Sequence, residues 1–370
     1  MGKTRISGLQ LFMLLSGFLF GSTVILAPAL GAKNDAWLAI IIGGTGGALL
    51  MLIYAAISLL NPSKTLVEIL KEKMGKVLGS IIAVLYIWYF IHLASLVFRD
   101  FGEFICTVTF PETPMTVLIS IFALGVVYRV NGGVEVMGRM GELLVPIIPT
   151  FILIVSVSLI TVNDFTAFLP VLENGMGPVL KAALSYITFP FGETVAFLML
   201  FPNLNRKEKL KKIVFVSAAL SALISIVIFF RDISVLGSDL MSRVTFVPHS
   251  TTLLFPEANV EPLVDINLMI GGGAKIGVCI YAATKAISQV AGIENYTNLT
   301  RAVGAFCVVL SVWDFENVLD LFSWTERIYS YYAITFQVII PLILLVLSLI
   351  KRSKPAEGSD ADNEGVIASK

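Results

Sequence analysis

Ten apolar stretches, each near or above the ~20 residues that a helix needs to cross a hydrocarbon core, dominate this chain. They run over 9–31, 36–60, 77–107, 115–131, 137–161, 178–201, 211–237, 262–290, 297–314 and 327–350. Little chain is left for a soluble domain, and the composition agrees: of 370 residues, 56% are hydrophobic and 14% charged, with a mean hydropathy of +0.88. The expectation is an all-α integral membrane protein with about ten transmembrane helices over 1–352, in halves of 9–161 and 178–350. The run from Ser353 to Lys370 is too polar to bury a core and reads as a disordered tail.

Charge carries no partner signal in total, because 26 basic residues balance 26 acidic ones and leave no polycationic surface of the kind that nucleic-acid binders use. Its placement is informative. Nineteen of the 26 lysines and arginines fall on one side of the predicted spans: both termini, the 64–76 loop, Arg129, Arg139, the 206–212 loop, Lys285 and Arg301. Six fall on the other: Lys33, Arg99, Lys181, Arg231, Arg243 and Arg327, with Lys275 on neither. Short loops rich in Lys and Arg stay in the cytoplasm, so both termini are expected there. Lys3 and Arg5 ahead of an apolar run, with Ala27-Pro28-Ala29 beyond, superficially resemble a cleaved leader, but the charge balance favours keeping the segment as a span.

Three scattered cysteines, Cys106, Cys279 and Cys307, and two distant histidines, His92 and His249, make neither a disulfide framework nor a spaced metal site. Catalysis, a metal and a cofactor are therefore not expected. Between the second and third spans, Thr65-Leu66-Val67-Glu68 has capping-box spacing, with Leu66, Leu70 and Met74 on one helical face. That short helix lies either on the inner leaflet or packed under the bundle.

Interruptions in the spans are pointers to function. In lipid every backbone donor and acceptor needs a partner, so unwound backbone occurs only where it faces protein, a cavity or a ligand. The first span carries Gly17, Gly21, Ser22 and Thr23 near its middle and Pro28 near its end; the sixth carries Phe189-Pro190-Phe191-Gly192-Glu193. Interrupted helices at corresponding positions of two halves mark inverted-repeat transporters, with the binding site between the breaks. Gly17 and Gly21 also form a small-xxx-small pair that would serve close helix packing, and packing is the preferred reading of Gly43 and Gly47 in the second span.

An ionisable group near the bilayer centre costs at least ~2.5–3.5 kcal/mol, which makes it a functional candidate. Lys275, after Gly271-Gly272-Gly273-Ala274, and Glu193 qualify. Lys275 is either a fixed strut, to carbonyls or to an acid, or a group that switches. Glu193 caps its half-helix, meets a ligand ammonium, titrates, or pairs with Lys275. Glu135, Arg139 and Glu142 have the spacing of an ion-pair network, and Arg99, Asp100 and Glu103 that of an outer gate or a solvated helix end. His92 reads as a core histidine, and Tyr86, Trp88, Tyr89, Phe90, Trp324, Tyr329, Tyr331 and Tyr332 read as interface or packing groups.

Ile25-Leu26-Ala27-Pro28 with Asp35-Ala36-Trp37, Arg99-Asp100-Phe101-Gly102-Glu103-Phe104, Leu169-Pro170-Val171-Leu172-Glu173-Asn174-Gly175, the 189–193 motif and Ala274-Lys275-Ile276 follow one another in a specific order. In this the chain resembles the B subunits of bacterial spore germinant receptors, within the amino acid-polyamine-organocation superfamily. The resemblance implies a LeuT-type fold of two inverted five-helix repeats, residence in the spore inner membrane, and partnership with an A and a C subunit. It also implies sensing of a small nutrient, typically an amino acid, to trigger germination; the rivals are a proton-coupled amino acid transporter and a ligand-gated ion pathway. Carried over by position, the pocket lies between Gly17, Gly21, Ser22 and Thr23 and Phe189, Phe191, Gly192 and Glu193. In sodium-coupled relatives of this architecture a cation sits between helices one and eight, so Lys275 would stand in its place.

Overall fold

The computed structural model describes residues 5–23, 29–254 and 259–351, without the side chains of Ser22, Thr23 and Phe165. The hydroxyls of Ser22 and Thr23, Pro28 and the tail from Ser353 therefore lie outside what is described. Among the described residues, seven helical stretches are long and apolar enough to cross a membrane, and three shorter apolar helices, Gly8–Gly21, Met115–Asn131 and Thr297–Trp313, fall on the remaining expected spans.

In chain order, α1 (Gly8–Thr23) is followed by a 3-10 turn, Leu30–Asp35, that leads into α2 (Ala36–Leu60). A short α3 (Leu66–Met74) precedes α4 (Lys76–Val108), α5 (Met115–Asn131), and α6 (Gly133–Leu144) with α7 (Ile147–Ser158), which together form one span. The sixth span starts as α8 (Met176–Tyr186), passes through a π turn at Ile187–Phe191 and ends as a 3-10 stretch, Gly192–Met199. Then come α9 (Leu210–Met241), α10 (Val247–Leu253), α11 (Glu261–Ala291) and α12 (Thr297–Trp313). The tenth span links α13 (Val318–Trp324), α14 (Ser330–Ile334) and α15 (Ile340–Ile350) through π turns at Thr325–Tyr329 and Thr335–Ile339.

The core forms around α11, which packs against α1, α4, α5, α7 and α12. Every residue from Gly271 to Thr284 is buried, as befits a helix that is apolar on all sides. Glycine decides how close the neighbours come. A Cβ on Gly271 would lie 2.6 Å from the Gly21 Cα, and one on Gly21 would run into the Gly271 carbonyl, so α1 and α11 cross backbone to backbone there. Gly43 gives α8 the same access to α2, since a Cβ would meet the Ala183 carbonyl at 2.7 Å. Outward faces carry exposed apolar side chains such as Leu124, Leu223 and Val346, the surface that hydrocarbon covers.

Three expectations are corrected. First, α1 is helical through Gly17 and Gly21 up to Thr23, with 24–28 outside the described residues, and both glycines serve packing in this arrangement. Second, Glu135, Arg139 and Glu142 form no ion pair with one another among the described residues. The N-terminal segment instead supplies the partners, the Arg5 amide for Glu135 at 3.1 Å and the Gln10 amide for Glu142 at 3.5 Å. Third, Arg99 does not end a solvated helix. It is buried, pairs with Glu103 at 2.7 Å and donates to the carbonyls of Ser311, Val312 and Phe315, capping the C-terminal end of α12.

The capping box at Thr65 and Glu68 forms, and of the two readings of α3 the structure takes the second. Leu66, Ile69 and Leu70 are fully buried, so the helix packs under the bundle and not on the leaflet. Lys71 donates to the Gln289 carbonyl at 2.8 Å and Lys73 to the Lys351 carbonyl at 2.6 Å, tying together the ends of α11 and the tenth span.

Candidate ligand site at the interrupted sixth helix

Proline has no N–H to give a helix and pushes the residue before it out of the helical region. Phe189 accordingly sits at φ −133° and ψ 110°, extended backbone between α8 and the 3-10 stretch. The break turns backbone groups toward neighbouring helices. The Tyr54 hydroxyl lies 3.0 Å from the Gly192 carbonyl and 2.6 Å from that of Gln337, and the Gln337 side chain donates to the Thr188 carbonyl at 3.0 Å and to the Tyr89 hydroxyl at 2.7 Å. The missing side chain of Gly192 leaves room for the Gln337 amide, which a Cβ there would displace.

The next residue, Glu193, points into the centre of the bundle. Its carboxylate meets the Lys275 ammonium at 2.5 Å, with both side chains wholly buried, and accepts a hydrogen bond from the Tyr329 hydroxyl. Lys275 also lies 4.3 Å from the centre of the Phe189 ring and 5.5 Å from that of Phe18, so aromatic faces replace the water its charge has lost. Of the roles open to Lys275 and Glu193, the structure shows an acid–base pair that links α11 to the interrupted helix. Arg129 is a second buried cation against α11: it donates to the Gly273 carbonyl, and the missing side chain of Gly277 makes room for its guanidinium.

A cavity of about 710 Å³ opens at the end of the bundle where α8 begins and α9 ends, opposite α3. Lys181 and Glu326, 4.0 Å apart and largely exposed, stand with Lys33 at its mouth, while buried Phe189, Tyr329 and Ser330 form its floor. The same Phe189 and Tyr329 cover the Glu193–Lys275 pair. Of the residues expected to bind ligand, Phe189 lines the cavity. Phe191 packs on Tyr186 and Gly47, Gly17 faces Val145 and Ala274, and Gly192 and Glu193 lie beneath the floor.

Sequence reasoning missed the part played by the tyrosines and Gln337. Tyr54, Tyr86, Tyr89 and Tyr329 are buried with their hydroxyls in hydrogen bonds, whereas Tyr331 is exposed. Gln337 was the available signal, an amide in mid-span that needs partners in lipid. Pro341, four residues on, was a second signal, for it has no N–H to give the Gln337 carbonyl; the first π turn, Thr325–Tyr329, holds neither glycine nor proline. Tyr329→Phe is expected to cost about 1.5–3 kcal/mol, because a buried carboxylate loses a donor. An unchanged melting temperature in detergent would show that the hydroxyl contributes nothing to holding Glu193.

Among the described residues, seven spanning helices and three shorter apolar ones, arranged about an interrupted helix and a buried charged pair, define an all-helical membrane fold. The chain superposes on the crystal structure of MhsT in complex with L-phenylalanine with a TM-score of 0.67 at 13% identity, covering 94% of this chain and 99% of that one. On Mhp1, a nucleobase-cation-symport-1 family transporter in a closed conformation with bromovinylhydantoin bound, the TM-score is 0.62 at 13% identity, covering 94% and 90%. The fold is thus LeuT-type. The family described as "Spore germination protein" matches residues 5–318, and the chain belongs to it. It is 32% identical to spore germination protein KB of Bacillus subtilis over 98% of this chain and all of the relative, and 25% identical to spore germination protein A2 of the same organism over 94% and 96%.

Proposed function

We propose that this chain is the nutrient-sensing membrane subunit of a spore germinant receptor, and that a small zwitterion, an amino acid, enters the cavity above Phe189 and Tyr329. The observation that carries this reading is that the cavity floor and the cover of the buried ion pair are the same two side chains. Lys33 and Lys181 attract the ligand carboxylate at the mouth, and Glu326 its ammonium. Displacement of Phe189 then joins the cavity to an inner subsite at Gly192 and Glu193, beneath the floor. A ligand shifts the bundle only by binding one arrangement better than another, and partner subunits A and C read that shift. In this reading the protein lies in the spore inner membrane with both termini cytoplasmic, and 1–352 is one membrane domain of two inverted halves, 9–161 and 178–350.

A proton-coupled transporter is the rival, favoured by the LeuT-type fold and by a carboxylate at mid-depth. The two separate in sealed liposomes with an imposed pH gradient, when uptake and counterflow of a labelled amino acid mixture are followed beside equilibrium binding. Saturable binding without accumulation is the expected result; accumulation that collapses with the gradient would make the protein a transporter. Phe189→Ala is expected to weaken amino acid binding about tenfold or more, the scale of one lost aromatic contact of about 1.4 kcal/mol, while the fold persists. Unaltered affinity in a folded variant would move the ligand away from this floor.

A further inference from the structure

A second cavity, of about 540 Å³, lies at the opposite end of the bundle, between the start of α1 and the start of α9. Its rim carries Arg206, Lys209 and Lys212, all exposed, and no acidic residue lines it. Among the described residues, none of the three cations meets a carboxylate within ion-pair distance. Below the rim, Leu9 and Val216 are 55% and 40% exposed and Phe12 is part-buried, an apolar wall continuous with the outward face of α9 at Phe215. The groove is built before anything enters it: the Ile6 amide donates to the Asn203 carbonyl at 2.9 Å and the Asn205 amide to the Ile6 carbonyl at 3.0 Å, fastening its two walls together.

We infer that this groove binds one anionic phospholipid, its phosphate held by Arg206, Lys209 and Lys212 and an acyl chain lying along Leu9, Phe12 and Val216. Three cations without acidic partners select a negative head group, and the exposed apolar wall selects a lipid over a soluble anion or an acidic protein segment, neither of which would cover it. Basic pockets between helices at the membrane surface have this chemistry. Lipid binding here is independent of what the other cavity holds.

Native mass spectrometry of the full-length protein, released from mixed phosphatidylglycerol and phosphatidylcholine micelles, tests it. The wild type is expected to retain one phosphatidylglycerol in preference to phosphatidylcholine, undiminished by inorganic phosphate. The triple variant Arg206→Gln, Lys209→Gln, Lys212→Gln is expected to lose that retention about a hundredfold. Arg301→Gln, an exposed cation outside the groove, is expected to keep it, which separates a site from general surface charge. Equal retention of both lipids, equal retention by the triple variant, or displacement by inorganic phosphate would each overturn the assignment. So would a glutamate-rich peptide that binds through the three cations while no lipid is held.

Discussion

Lys275→Ala is expected to destabilise the protein by about 3–5 kcal/mol, a large effect for one side chain, because it strands a wholly buried carboxylate. Coulomb attraction and the Tyr329 hydrogen bond offset the desolvation of Glu193 only while the ammonium is present. A rescue is expected as well as a loss. Lys275→Met combined with Glu193→Gln removes both charges at similar volume, so most of the stability should return. Chemical denaturation in detergent of the two single variants and the double variant gives the coupling directly. If the double variant is as unstable as the sum of the single ones, the pair is not what holds α11 to the interrupted helix. If it is stable but no longer responds to nutrient, the charges serve signalling beyond structure.

Gly21→Val is expected to abolish recovery of monodisperse protein. Its Cβ would enter the Gly271 carbonyl, and a backbone atom on a helix packed against several others has nowhere to go. Overpacking of flexible side chains costs about 1–3 kcal/mol; here the obstacle is backbone, so the cost lies at or above the top of that range. The outcome also separates two meanings of this glycine. A folded Gly21→Val variant that had merely lost amino acid binding would make Gly21 part of a pocket and not a helix crossing. Gly21→Ala, milder but still in collision, is expected to fall between.

The second span shows what periodic small residues can and cannot reveal. Gly43 and Gly47 read as packing glycines, and they do admit α8 and the Phe191 ring. Gly17 and Gly21 have the same spacing, yet their added hydroxyl neighbours made an unwound site an equal reading, and the structure puts them within a continuous helix. Spacing identifies a close approach but not what approaches. Arg99 teaches a similar lesson: an arginine flanked by acids near a helix end looks solvated until the end of α12, far away in sequence, supplies three carbonyls. The tenth span is harder still: Pro341 marks the second π turn by leaving the Gln337 carbonyl without its helical donor, but the first has neither glycine nor proline to mark it.

What the chain by itself determined is what lipid enforces residue by residue: the spans, from the length of apolar runs; the break in the sixth, from a proline that cannot complete a helix; and the rarity of Glu193 and Lys275, from the cost of charge in hydrocarbon. Their meeting was decided only in three dimensions. A lysine and a glutamate 82 positions apart become one neutral unit because α11 runs beside the interrupted helix, and that course depends on glycine contacts with α1. The location of the cavity was likewise tertiary, since its mouth and floor come from α8, the 3-10 turn before α2 and the tenth span. Hydrophobicity and backbone chemistry are local and legible along the chain, whereas pairings between distant segments depend on the shape that all the helices take together.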